Sequence, residues 1–275
     1  MPELPEVETV RRGLTKLVVG RTIKSVEVRW EKIVGMSAEE FDAEMADRKI
    51  EKIDRRGKYL MFRLSGDKTL VSHLRMEGAY YTVPADTTPG KHDLVTFHLD
   101  DGNDLFYRDT RKFGRMNLVD TKDAMHLTGL AKIGPEPTEE TLTLDYMVEE
   151  FKRKGAIKPF LLDQSHIAGL GNIYVDETLW MSKIHPLQPA NTITKKQLGV
   201  LRENIIKELA RATEHHGTTV HSFTNAFGEA GGFQNELQVY GRVGQPCLRC
   251  GTELVKTKVA QRGTTYCPKC QVLKV

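Results

Sequence analysis

The stretch CLRCGTELVKTKVAQRGTTYCPKC, residues 247–270, contains all four cysteines of a 275-residue chain. They form two Cys-x2-Cys pairs, Cys247 with Cys250 and Cys267 with Cys270, separated by sixteen residues. Each pair offers two thiolates at knuckle spacing, and two knuckles complete one tetrahedral zinc site. Four sulfurs leave no open coordination position, so the ion is structural rather than catalytic. Between the knuckles, residues 253–259 alternate polar and apolar, Gln261-Arg262-Gly263 reads as a turn, and Thr264-Thr265-Tyr266 returns. A hairpin this small does not hold itself in water, so zinc supplies its folding energy, typically about 10–16 kcal/mol. One structural zinc and no organic cofactor are expected.

Around this hairpin the charge is uneven. Residues 241–275 carry seven Lys/Arg against one Glu, a local +6 in a chain of net charge +3, which leaves −3 for the rest. A basic end is a candidate polyanion contact, although charge alone also describes a solvated surface. The chain is long enough for a real core and more than one domain, and 39% hydrophobic with 28% charged residues excludes wholesale disorder. The acidic start has no apolar core of a secretory signal, and no run of about 18 apolar residues occurs, so a cytosolic protein is expected. In that compartment four cysteines read as metal ligands, not disulfides.

Upstream, short segments rich in β-branched and aromatic residues recur at roughly ten-residue intervals between Gly, Asp and Pro. They predict strands over 23–30, 59–64, 69–74, 79–83, 94–99, 104–108 and 115–119, as in an antiparallel sandwich or barrel. Ahead of them Val7, Val10, Leu14 and Leu17 recur at helical spacing, with Pro5 in the first turn. After a hinge at Ile133-Gly134-Pro135-Glu136-Pro137 the pattern becomes helical over 139–154, 158–164, 172–182 and 194–216. The expected fold is α+β and multidomain: an N-terminal antiparallel β-sandwich with a leading helix (1–132), a helix-two-turn-helix domain (133–236) and a C-terminal β-hairpin zinc finger (237–275).

Three further motifs are ambiguous when read singly. Gly169-Leu170-Gly171-Asn172 precedes a helix whose amino end suits a phosphate, yet a structural turn reads the same way. Arg111-Lys112-Phe113-Gly114 sets a basic pair beside an aromatic, which stacks into a polyanion or caps a strand. Met76, in HLRMEG, is a core methionine by default.

Taken together, MPELPEVE (1–8), RGKY (56–59), GLGNIY (169–174), ELQVYG (236–241) and the zinc finger resemble the formamidopyrimidine-DNA glycosylase family of bacterial base-excision repair enzymes, over essentially the full length. The resemblance implies a glycosylase and AP lyase that removes formamidopyrimidines and 8-oxoguanine from double-stranded DNA and cuts the abasic site by β,δ-elimination. It implies loss of Met1, with the freed Pro2 amine attacking C1′ of the damaged nucleotide. The chemistry fits: an α-amine with pKa near 7.7–8.0 is roughly a tenth deprotonated at pH 7, while an ordinary lysine is neutral about once in several thousand. Glu3 matches the general acid and base, Lys58 a proton donor in β-elimination, and Arg262 the group gripping phosphates beside the lesion and assisting δ-elimination. Glu6 supports the same site or simply supplies an acidic first helical turn.

A base in a stacked duplex must be flipped out at a cost of a few kcal/mol, and the hole must be filled. Met76, Arg111 and Phe113 match the void fillers; His92, Lys154, Lys158 and Asn172 match phosphate contacts. The stretch 217–233 matches the loop that closes over the flipped base. The resemblance further implies a bacterial cytosolic, nucleoid-associated enzyme acting as a monomer. Two rival readings are an endonuclease VIII-like glycosylase for oxidised pyrimidines, against which Leu4, Arg111 and Phe113 argue, and a non-catalytic zinc-ribbon DNA binder.

Overall fold

In a computed structural model, residues 1–219 and 231–274 are described. The chain divides into two compact units, residues 1–131 with 215–232, and residues 132–214 with 233–275.

The first unit opens with α1 (Leu4–Val18), which buries Val7, Val10 and Leu14 of the predicted stripe, with Val18 rather than the half-buried Leu17 as its fourth member. Two four-stranded antiparallel sheets follow. One has the order β1-β6-β7-β5, from β1 (Ile23–Val28), β6 (Asp93–Leu99), β7 (Asn103–Arg108) and β5 (Ala79–Pro84). The other has the order β2-β3-β4-β8, from β2 (Ile50–Arg56), β3 (Tyr59–Leu64), β4 (Lys68–His73) and β8 (Arg115–Asp120). The α1 stripe joins residues of both sheets, among them Val26, Phe97, Tyr107, Ile53, Phe62 and Met116, in one core. Burying a side chain of this size stabilises by about 1.5–3 kcal/mol.

Besides the short α3 described below, two elements here have no counterpart among the expected segments. One is β2, an edge strand whose sequence IEKIDRR puts only Ile50 and Ile53 in the core. The other is α2 (Ala38–Met45), announced by a capping box in which the Ser37 hydroxyl accepts the Glu40 N–H while the Glu40 carboxylate accepts the Ser37 N–H. A short helix, α3 (Ala124–Leu127), follows β8.

The second unit is helical, then a hairpin. It contains α4 (Leu144–Glu150), α5 (Ile157–Leu162), α6 (Asn172–Met181) and α7 (Lys195–Glu214). The first begins later than expected, because the Thr143 hydroxyl caps it by accepting the Tyr146 N–H at 3.2 Å. Both α4 and α6 pack on α7, burying Met147, Leu179, Leu201, Ile205 and Leu209. The hairpin pairs β9 (Val255–Val259) with β10 (Arg262–Tyr266), Val259 opposite Arg262. Its turn is therefore Ala260-Gln261, not the expected Gln261-Arg262-Gly263, and both turn residues are left-handed at φ 46° and 62°. That leaves Arg262 as the first residue of a strand.

Candidate active site and nucleic-acid interface

Pro2 and Glu3 are buried just ahead of α1, while Met1 is exposed. Pro5 lies in the first helical turn, where its missing N–H leaves no bond unmade. The buried Glu6 carboxylate fixes this turn: one oxygen accepts the Glu3 N–H at 2.8 Å, the other the Thr218 N–H at 2.7 Å. At Gly217 the chain passes so near that a Cβ would stand 2.8 Å from the Glu6 carboxylate. Glu6 thus serves both the first turn and the stretch beginning at 217. Residues 220–230 of the expected base-covering loop lie outside the described residues.

Next on the same unit is the β2–β3 turn, Gly57-Lys58, with Gly57 left-handed at φ 54°. Lys58 is 4% exposed. Nothing local in the sequence marks His73, yet β-pairing sets it opposite Tyr59, their rings edge to face at 4.4 Å. Burial, then the charges of Arg75 and Lys58, push the His73 imidazole down to about 3. Its Nδ1 accepts the Arg75 N–H at 2.9 Å, so a neutral ring carries its proton on Nε2. His73 is a fixed, uncharged donor near Lys58.

Beyond His73 the chain turns through Arg75, left-handed at φ 55°, to the half-buried Met76. Arg111 and Phe113 are exposed on the β7–β8 loop, the guanidinium 4.7 Å from the ring centroid. His92, just before β6, has a buried Nδ1 without a hydrogen-bond partner among the described residues.

In the second unit, α6 starts at Asn172 after a Gly-Leu-Gly turn held by Gln164, whose carboxamide accepts the Gly169 N–H and donates to the Leu170 carbonyl. Lys154 is exposed between α4 and α5. Lys158, expected to contact a phosphate, has a side chain that is 0% exposed. Its ammonium bonds Asp176 at 2.6 Å and the Gly263 carbonyl at 3.1 Å. Asn172 donates to that same carbonyl at 3.0 Å, and Asp176 accepts the Thr265 N–H at 3.0 Å. Lys158, Asn172 and Asp176 therefore grip the strand that begins with the exposed Arg262. Burial raises Asp176 to about 6 even with Lys158 beside it.

One residue along α6, Glu177 anchors the start of the finger by accepting the Gln238, Val239 and Tyr240 N–H groups at 2.8–2.9 Å. Burial pushes it up to about 7 against those three bonds. Neither acid is legible in the sequence, because its partners, the Lys158 ammonium and Thr265 N–H for Asp176 and three backbone amides for Glu177, lie far along the chain.

The four cysteine sulfurs lie within 4.8 Å of one another. A zinc ion at about 2.3 Å from each sulfur requires a tetrahedron with edges near 3.8 Å, so the group fits the ion. Cys270 N–H points at the Cys267 sulfur at 3.3 Å, and the Trp180 indole N–H at the Cys247 sulfur at 3.4 Å. Such donors delocalise thiolate charge and orient the ligands. Arg249 lies over the Trp180 ring at 4.0 Å, tying the first knuckle to α6.

Comparison with known proteins covers the whole arrangement. Residues 1–116 match the formamidopyrimidine-DNA glycosylase N-terminal domain, 133–224 its H2TH domain, and 244–272 the zinc finger found in FPG and IleRS. The chain is 62% identical over 269 residues to the formamidopyrimidine-DNA glycosylase of Lactiplantibacillus plantarum, covering 98% of each. A crystal structure of a Lactococcus lactis FPG mutant with Fapy-dG-containing DNA superimposes with TM-score 0.94 at 44% identity, covering 98% of this chain and 100% of that one. A structure of MutM with carbocyclic 8-oxo-G-containing DNA gives TM-score 0.93 at 44% identity, with the same coverage.

Proposed function

The chain belongs to the formamidopyrimidine-DNA glycosylase family, enzymes that excise oxidised purines and cleave the abasic site, and we propose that Pro2 is its nucleophile. With Met1 removed, the Pro2 nitrogen is a secondary amine; with Met1 attached it is an amide without a nucleophilic lone pair. Attack on C1′ expels the damaged base and gives an iminium, whose positive charge acidifies the C2′ proton for β-elimination.

Glu3, beside that amine, shuttles the proton for ring opening and base departure. The observation that carries this reading is the fixing of the Glu3 backbone by the buried Glu6 carboxylate, which presets the turn holding nucleophile and acid. Lys58 donates a proton during elimination, and Arg262 holds the phosphate that departs in δ-elimination.

Met76, Arg111 and Phe113 fill the space of the extruded nucleotide. His92, Lys154 and Asn172 touch phosphates, with the neutral His73 as a further donor of the same kind; Lys158 acts through the Gly263 carbonyl instead. A bound zinc supplies folding energy to the hairpin and takes no part in the chemistry. Functionally the chain reads as a catalytic module (1–132), a DNA-binding helical module (133–236) and a finger (237–275), acting as a monomer in the bacterial cytosol in association with the nucleoid. Among the described residues no helix is long and apolar enough to cross a membrane.

A panel of duplexes carrying 8-oxoguanine, formamidopyrimidine, thymine glycol or an abasic site tests the assignment. Cutting of the two purine lesions and the abasic site, with β,δ-elimination ends, is expected. Preferential cutting of thymine glycol would support the oxidised-pyrimidine alternative, and DNA binding without cutting would support a zinc-ribbon binder.

A further inference from the structure

The β7–β8 loop, residues 109–114, is tied down more thoroughly than an exposed six-residue connection requires. Asp109 is fully buried, and its carboxylate accepts three N–H groups of its own loop: Arg111 at 3.0 Å, Phe113 at 2.9 Å and Gly114 at 2.8 Å. Its backbone N–H donates to the His92 carbonyl at 2.9 Å. One buried residue thereby fixes the peptides of three of the proposed DNA-contacting residues.

Two outer ties add to it. The Lys112 ammonium stands 4.0 Å from the Trp30 ring centroid, with Lys112 left-handed at φ 58°. The Thr110 hydroxyl donates to the Glu77 carboxylate, joining the loop to the Met76 turn. Beneath both loops lies Tyr107, whose hydroxyl occupies the space a Cβ would need at Gly78 or Gly114. The Met76 turn and the Arg111–Phe113 loop are therefore one braced body.

We propose that Asp109 is the positioning residue for strand invasion: it holds Arg111 and Phe113 in the conformation that enters the base stack before DNA arrives. The physical case is one of order. A loop that must organise on binding loses backbone entropy for every residue fixed, whereas this one is already fixed by three charge-assisted bonds in a dry environment. The inference rests on the stack-filling role proposed for Arg111 and Phe113.

Asp109→Asn tests it, because an amide keeps one acceptor and turns the other oxygen into a donor facing an N–H, whichever way it is oriented. Duplex excision of 8-oxoguanine by this variant is expected to fall about tenfold or more in kcat/KM, as for a misplaced positioning group. Cleavage of an abasic site in single-stranded DNA, which has no stack to invade, stays within about twofold. A 2-aminopurine placed opposite the lesion loses most of its fluorescence rise on binding.

Equal losses on both substrates, or an unchanged duplex rate, would overturn the proposal. Phe113→Ala separates its failure from that of the underlying reading: if Phe113→Ala leaves duplex excision intact, the stack-filling role is wrong, and if it lowers excision while Asp109→Asn does not, only the positioning role is wrong. Should Asp109→Asn not fold, Lys112→Asn keeps the left-handed residue and removes the Trp30 tie. A duplex-only loss of about threefold is then expected, and no loss contradicts the braced loop.

Discussion

The turn carrying Pro2 and the hairpin carrying Arg262 present functional groups by opposite means. The first stands on a large apolar core and is trimmed by the Glu6 carboxylate accepting the Glu3 N–H, as Asp109 does for the β7–β8 loop of the same unit. Among the described residues the second has a small core of Trp180, Val239, Leu254 and two cysteines, with Met181, Cys250 and Cys270 packed against it, and depends on metal ligands plus a buried ion pair. A small element with little apolar area reaches rigidity through bonds of high individual energy, and each such bond becomes a single point of failure.

Zinc removal should expose that difference most strongly. Chelation withdraws about 10–16 kcal/mol from the hairpin and unfolds it, while leaving the two sheets of the first unit intact. Trp180 emission, with its indole N–H on the Cys247 sulfur, should shift on chelation, and β-sheet circular dichroism should persist. Lesion binding should vanish with the finger; a chelated protein that still cuts normally contradicts the role given to it.

The buried pair comes next. Lys158→Met strands the Asp176 carboxylate and should cost about 3–5 kcal/mol in urea denaturation followed by Trp180 emission. Asp176, already raised to about 6 by burial, escapes part of that cost by protonation, so the loss should be larger at pH 8 than at pH 5. Replacing both partners, Lys158→Met with Asp176→Leu, should recover most of the stability but not the aim of Arg262.

In the first unit the sensitivity is to acid. His73 titrates near 6.5 when unfolded and near 3 when folded, so between those values the unfolded chain binds the extra proton. Its contribution is whole above pH 6.5 and is lost as pH falls toward 3, about 2 kcal/mol by pH 5. His73→Gln should flatten that part of the profile in pH-dependent denaturation; an unchanged slope would mean that other groups carry it.

The smallest effect concerns the turn before Arg262. Gln261→Gly removes a side chain from a left-handed position and should stabilise the hairpin by about 0.5 kcal/mol, read from the same urea midpoint.

Legibility followed the range of the interaction. Two cysteine pairs at knuckle spacing announce a metal site locally, and apolar alternation announces seven strands. The edge strand β2 escapes because five of its seven residues are charged, which protects an edge from pairing with other chains but erases the alternation. The burial of Lys158 is not legible because a lysine is a surface residue unless a partner buries it, and its partners are 18 and 105 residues away. Asp176 and Glu177 stay hidden for the same reason, the partners of Asp176 lying 18 and 89 residues away and those of Glu177 61–63 residues away; Asp109 acts on the backbone amides of its own loop, which carry no residue-specific mark.

The proposed chemistry turns on Pro2, and one measurement addresses it directly. The mature enzyme is incubated with duplex carrying 8-oxoguanine, reduced with borohydride and digested with trypsin, and the adduct is located by mass spectrometry. The deoxyribose remnant is expected on the peptide spanning residues 2–11, attached at the Pro2 nitrogen, and absent in Pro2→Gly. An adduct on Lys58 instead, or full cleavage by protein that retains Met1, would contradict it.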